Sequence, residues 1–586
     1  MTRSKSISRS PFCYHRHRSN DTSEARFGRI GQKNRRLYVS AMLLLTAAVC
    51  TPAQAGVAGK RVNANAAGAC TSRKRMIIAN RCPGDTLGAK VNAADTMLGD
   101  KPGEIRLYGG GSFGDEGSRI TISSHHTLRI FAGIYTSTAV DGVISLKDHS
   151  ALICENASNT ILEEPNHVTA PRTDLWSIVN ALGASRVDGV FVGQINRNIT
   201  VKNCRFKGTR SDVSGAQATV QMGNCHGCEV SGNVFDGTHG IGTQWGFSGR
   251  SNDPLALGAY AENFSDHHNT YIAVSTVNTA IVNARNGIIH HNRYLSPGNL
   301  RPIAYTAAID LEPNLPTDQI VDISVLNNVM DMYGSVNYID GVSITNAAQA
   351  KYERIVIANN RMYGANIDGS DTNQRRLSVG IRIGANVRDV RVVENRIMFA
   401  LHPVVVLGNK NAIERNRIFG NVDQANNGFH IHLHPDSAGN VVTANLVSCK
   451  SDVENPCSVL VKNEGAQSNV ISDNLRIDPP AIVAGMGSGS SPTIAITGDE
   501  NEGYIDLTTG RQPEAATIVA TITFASSSSN VPLSLRPANP NAASLIGTRR
   551  LSLEGKNGNG ASVIIKAGTA PLAAHTNYRW FYGSVK

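Results

Sequence analysis

The chain has 586 residues, of which 41% are hydrophobic, 5% aromatic and 17% charged, with 55 glycines. That balance suits a large protein of many short strands and tight turns. The formal charge of +10 is uneven: residues 1–55 hold ten Lys or Arg against Asp21 and Glu24, or 10 − 2 = +8, which leaves +2 on the other 531 residues. Overall charge therefore gives no ground for a nucleic-acid partner.

The first 55 residues read as a secretory leader. Arg35 and Arg36 precede an apolar run over 37–50, followed by the small-x-small site at Ala53 and Ala55. The run is too short to span a bilayer, so the expectation is cleavage and export to the periplasm, the cell surface or the medium. The long stretch ahead of the apolar run leaves the true start codon open. Eight cysteines follow, an even count that points to disulfides in an exported chain. Cys70 with Cys82 and Cys449 with Cys457 are close enough in sequence for local staples, while Cys154, Cys204, Cys225 and Cys228 allow three pairings. Cys225 and Cys228 also have the spacing of a redox or zinc half-site, without a second pair to complete it.

After an N-terminal segment at 56–91, residues 92–98 predict a short helix, and strand-like pieces follow at 103–107, 120–122, 128–131 and 143–146. A repeated phrase then takes over: an aliphatic residue, two or three small or polar residues, an asparagine, and a large apolar residue. It places Asn233, Asn292, Asn328, Asn360, Asn395, Asn416, Asn445 and Asn474 at intervals of 59, 36, 32, 35, 21, 29 and 29. Such intervals belong to a solenoid, and the gap of 59 predicts a hidden coil. Cys204 stands at the asparagine position of an earlier coil. Short Val/Ile-rich segments broken by Gly and Asn favour strands over helices, and stacked amides at each corner would hydrogen-bond in register. The predicted fold is all-β: a right-handed single-stranded parallel β-helix over 92–475, capped by the N-terminal helix. The Pro/Gly/Ser-rich stretch 476–498 reads as a linker, and 499–586 as a small antiparallel, sandwich-like β module.

Ligands of a β-helix lie across an outer face. Four coils align on a small residue followed by in-out-in alternation, and their outward columns read Asp310, Ser343, Arg382, His430 and Glu312, Thr345, Gly384, His432. The coil at 404–408 is apolar and interrupts them. Gln221, Gln244 and Trp245 extend the face upstream, and His434 extends it downstream. Asp310 and Glu312, two apart on one strand face, have Cα atoms about 6.5 Å apart, which overlaps the roughly 5–9.5 Å carboxyl separations of glycosidases. The same pair suits a calcium ion neutralising an acidic sugar. Arg382 suits a uronate, or an elimination in which a base such as His430 or His432 removes the proton next to a carboxylate. The bland alternatives are solvated carboxylates, an Arg382 ion pair with Asp310 or Glu312, and histidines that merely line a groove.

The helix at 92–98, the glycine-flanked strand at 103–107, Gly133, Ile134 and Tyr135, the segment 144–148 and the asparagine coils together resemble the pectin-lyase-like β-helix superfamily of carbohydrate-active proteins. The closing module, through Thr521, Phe524, Leu535, Pro537, Asn539 and the final Tyr578, Trp580 and Tyr582, resembles the C-terminal domains of phage tail fibres and tailspikes, where such modules support trimers or bind glycans. The chain lacks the polygalacturonase set, of which Arg382 and Ile383 are a partial echo, and lacks the arginine signature of pectate lyases. The expectation is an exported protein that cleaves a polysaccharide by hydrolysis or elimination; the alternative is a non-catalytic glycan-binding adhesin.

Overall fold

The computed structural model describes Cys70 and residues 75–584, apart from 140–141, 164–176, 182–183, 188–189, 194, 209–217, 239, 248–259, 296–305, 333–338, 346–349, 365–376, 399, 420–428, 449–458, 478–479, 500–501, 525–532, 538–539, 546–550 and 556–561. The leader and the Cys449/Cys457 pair lie outside the described residues.

Three long parallel sheets of 17, 12 and 13 strands, here sheets 1, 2 and 3, wind around one interior as a right-handed parallel β-helix. Each coil supplies one strand to each sheet: Val390–Val393 to sheet 1, Arg396–Met398 to sheet 3 and His402–Val406 to sheet 2, before Ala412–Glu414 returns to sheet 1 beside Val390–Val393. Alternation decides the facing. Val390 and Val392 are buried while Arg391 between them is exposed, the period-two pattern of a strand with one face in a core.

The corners are where the sequence speaks most clearly. The residue before each ladder asparagine has a left-handed φ, from 52° at Arg415 to 66° at Gly232, including Glu394 at 56° and Ala444 at 55°. That conformation disfavours side chains other than Gly or Asn, and the asparagine offsets it by satisfying the bent backbone. Asn360 Nδ2 donates to the Val325 carbonyl (2.9 Å) and to Asn395 Oδ1 (2.9 Å), while its own Oδ1 accepts the Asn328 backbone N–H (3.0 Å). The same backbone link repeats unbroken from Cys204 through Asn233, Asn269, Asn292, Asn328, Asn360, Asn395, Asn416 and Asn445 to Asn474. Asn269 is the coil hidden in the gap of 59; its aliphatic position is taken by Asp266, which disguised the motif. A second ladder, Asn411 to Asn440 to Asn469, has the same geometry. Asn360→Ala leaves a buried carbonyl and a buried N–H unpaired, with an expected cost of about 2–4 kcal/mol, to be read as a lower midpoint in urea unfolding.

The helix Leu87–Leu98 starts five residues earlier than predicted, at the Thr86 cap, whose hydroxyl accepts the Ala89 N–H (3.1 Å). It is tied to the first coils by Asp95, which accepts from Ser123 N (3.0 Å) and meets His126 Nδ1 (2.7 Å). One strand, Met76–Ile78, already joins sheet 1 ahead of the helix by pairing with Gly103–Leu107. Disulfides join Cys70 to Cys82, Cys154 to Cys204 on neighbouring coils, and Cys225 to Cys228. The last occupies both thiols of the supposed zinc half-site.

The stretch expected to be a linker is structured. Ala481–Ala484 and Thr493–Gly498 are strands of two four-stranded antiparallel sheets that form the closing module. The reason is that its glycines and prolines punctuate short strands rather than dilute them. The module packs Trp580, Tyr582, Ile505 and Leu507 into its own core. It docks sideways on sheet 3: Arg417 pairs with Asp499 (2.7 Å), Arg396 with Glu502, and Met398 and Phe419 pack on Tyr504.

Candidate functional site: an acidic cluster on sheet 2

Sheet 2 carries the column that the sequence predicted, with one change of register. Pairing runs Gln221↔Gln244↔Ala280↔Asp310↔Ser343↔Arg382↔Val405↔His432↔Lys462. Asp310, Ser343 and Arg382 are neighbours as expected, and Val405 supplies the apolar interruption. His430 is not in this column. The register places it level with Pro403 and Gly380, at the position of Gly341, where an added Cβ would meet core atoms of Ile397 or Met362. His430 is fully buried there, and His432 takes the predicted place of His430. The second column likewise ends on His434 rather than His432. Aligning coils on their glycines caused the slip, because in this coil histidine itself fills the small-residue position.

That small-residue position has a larger consequence. Between Thr306–Leu311 and Ile339–Ile344, pairing skips Ala308 and Gly341, and between Ile339–Ile344 and Leu377–Ile383 the register shifts after Ile339. A bulge puts two successive residues on one side of a strand and so reverses the facing of everything before it. Strict alternation from Ser343 turns Asp340 inward; the bulge turns it outward, where its carboxylate accepts from Arg382 Nε (2.6 Å) and Nη2 (3.4 Å). Asp340 is thus a site residue that sequence reasoning missed, and Gly341 inside a strand was the available signal. Arg382 is hydrogen-bonded to Asp340, and its charge also acts on Asp310.

Asp310 is recessed, only 2% exposed, and its Oδ1 has no hydrogen-bond partner. Burial, then the nearby charges of Glu312 and Asp340, push its carboxyl well above the usual range, with Arg382 opposing. Glu312 is exposed on one side, but the protein around its carboxyl also pushes it upward, against a hydrogen bond with Asp310 that pulls it down. Two hydrogen-bonded carboxyls whose pKa values both move up titrate as a pair. The predicted acid and base are therefore hydrogen-bonded to each other rather than held apart. Thr345 lies beside them, its hydroxyl 3.4 Å from the Leu311 carbonyl.

The remaining predicted residues divide. Gln221 is 1% exposed with Oε1 unpartnered, and Gln244 next to it is nearly as buried, its amide 3.4 Å from the Gly246 carbonyl. Trp245 is not a groove residue: it turns into the core, stacks on Phe264 at 4.3 Å and donates Nε1 to Asp266 (3.1 Å). His432 meets Glu464 (2.8 Å) and His434 lies 3.8 Å from Asp436. Among the described residues no group of three or more His, Cys, Asp or Glu is placed to hold a metal ion. No helix among them is long and apolar enough to cross a membrane.

No known family's sequence profile and no curated protein matches this chain. Solved structures similar to it include the A-module of the mannuronan C-5 epimerase AlgE6 from Azotobacter vinelandii, 12% identical, covering 68% of this chain and 97% of that one, TM-score 0.47. The surface adhesin PfbA of Streptococcus pneumoniae is 12% identical over 63% of this chain and 88% of that one, TM-score 0.39. A tailspike protein of E. coli bacteriophage HK620, in complex with a hexasaccharide, is 11% identical over 86% and 91%, TM-score 0.39. At such identities the likeness concerns the fold alone, the parallel β-helix that the three sheets of this chain already establish.

Proposed function

We propose that this protein is an exported hydrolase of an extracellular or cell-surface polysaccharide, acting at the acidic cluster on sheet 2. One observation carries the reading: Asp310 is a buried carboxyl whose pKa burial and Glu312 push up, and one of its oxygens is unpartnered. A proton-holding carboxyl is the group needed to protonate a departing glycosidic oxygen. Asp340, fixed by Arg382, is the second carboxylate, for the opposite side of the sugar. Elimination is the weaker route, because His430 faces away from the column and His432 is engaged by Glu464. Calcium has no role in this reading. Export rests on the basic, apolar and small-residue order of residues 1–55, and a homotrimer through the closing module rests on that module's resemblance to tailspike domains.

The test is a screen of the purified protein against neutral and uronate-containing polysaccharides, following reducing ends together with absorbance of the unsaturated-uronate band. Reducing ends without absorbance support hydrolysis; both rising together mean elimination; binding with neither signal means a glycan-binding adhesin. Gln221, with an acceptor oxygen free in the same column, is expected to receive a sugar hydroxyl or amide N–H. Gln221→Ala should raise KM about 5–10-fold with kcat little changed, the loss of one hydrogen bond used equally in ground and transition states.

A further inference from the structure

Outside the acidic cluster, the densest group of titratable side chains lies on sheet 1 and its corner, where two consecutive coils each present a pair of adjacent histidines. His267 Nδ1 and His268 Nδ1 are 2.8 Å apart with rings at 85°, and one coil further on His290 Nδ1 and His291 Nδ1 are again 2.8 Å apart with rings at 85°. The pairs stack, His267 on His290 at 4.8 Å and His268 on His291 at 5.2 Å between ring centres. His268 and His291 are exposed at the corner.

The tautomers matter. His267 Nε2 lies 3.1 Å from Glu229 Oε1, a carboxylate that also accepts from the Ser231 hydroxyl (2.6 Å) and has Lys202 Nζ at 3.8 Å. With the Nε2 proton directed at Glu229, Nδ1 of His267 presents its lone pair towards His268. A carboxylate behind one ring nitrogen and a free lone pair on the other is the usual outer support of a metal-bound histidine. The separation also discriminates between ions. Two nitrogens about 2.0 Å from a metal are about 2.8 Å apart when cis in a square plane and about 3.3 Å apart in a tetrahedron. Neighbouring coils show that nothing structural demands histidine here, since the equivalents of His268 and His291 include Asn203, Asn327 and Asn359, all with the same positive φ.

We propose that the His267–His268 pair is a two-nitrogen site for a square-planar divalent ion, copper(II) above all, with solvent in the remaining positions, and that His290–His291 forms a second, weaker copy. The weaker affinity of the second follows from its outer partner, the neutral Ser265 hydroxyl 3.4 Å from His290 Nε2.

Copper(II) chloride titrated into the full protein, followed by calorimetry and electron paramagnetic resonance, tests this. The expected result is one tight equivalent and one weaker one, each with the splitting of two nitrogen ligands. His268→Asn should remove the tight step and His291→Asn only the weaker one; both variants copy neighbouring coils and should fold. Glu229→Gln should weaken the tight step about 10-fold or more. If His268→Asn keeps the tight step, the site is overturned and the 2.8 Å contacts are plain N–H···N hydrogen bonds. Unchanged affinity in Glu229→Gln overturns the role given to that carboxylate.

Discussion

Asp310→Asn is expected to lower kcat on the cleaved polysaccharide by about 10²–10⁴-fold, the usual contribution of a positioned general acid, while leaving the thermal midpoint unchanged or higher. The second half of that expectation makes the first interpretable. Asp310 is buried, and burial and the neighbouring charges of Glu312 and Asp340 disfavour its anion. Asparagine has almost the same shape and no charge to desolvate, so the variant removes the proton and not the packing. For the same reason activity should fall as pH rises through the raised pKa of the pair, and Glu312→Gln should move that upper limb. Retained turnover in Asp310→Asn, measured by reducing ends beside a calorimetric scan, would remove Asp310 from the mechanism.

The second large effect concerns stability. Asp266 occupies an inward position filled by Val230 and Ile289 on the coils to either side, so a carboxyl stands where the repeat expects an aliphatic side chain. It accepts from Trp245 Nε1 (3.1 Å), Asn269 Nδ2 (2.8 Å) and the Tyr271 hydroxyl (3.2 Å), yet no cation faces it in these bonds. Burial outweighs the donors and pushes its pKa up to about 6 from an ordinary 3.8. The folded state therefore binds this proton more tightly than the unfolded chain does. The stabilisation is complete below pH 3.8 and is lost as pH rises through about 6, a change on the order of 3 kcal/mol at about 1.4 kcal/mol per pKa unit. Asp266→Asn should abolish that slope: the difference in unfolding free energy between wild type and variant should shift in favour of the variant between pH 4 and pH 7. Parallel urea midpoints across that range would refute the assignment.

The asparagine phrase made the solenoid legible because each corner uses the same chemistry: a left-handed residue, then an amide that bonds the coils before and after. A local motif with a local cause can be read from one sequence. Along this ladder it missed Asn269, where Asp266 replaced the aliphatic member, and that miss marked a buried carboxyl. The Cys70–Cys82 staple was legible for the same reason of proximity. The partners of Cys154 and Cys225 were not, because Cys154 meets Cys204 only once the coils stack.

The acidic cluster was half legible. Alternation within a strand placed Asp310, Ser343 and Arg382 in one column, since a period of two depends on nothing beyond the strand itself. What the sequence alone determined was the fold class, the coil boundaries and that column. Only the tertiary structure decided the rest: that Asp340 joins the cluster while His430 and Trp245 leave the face, and that Arg382 binds Asp340. The physical reason Asp340 reaches Arg382 is the bulge at Ala308 and Gly341. One residue left out of the pairing reverses the facing of its neighbours, and whether it is left out depends on the packing of the next coil, which no single strand contains.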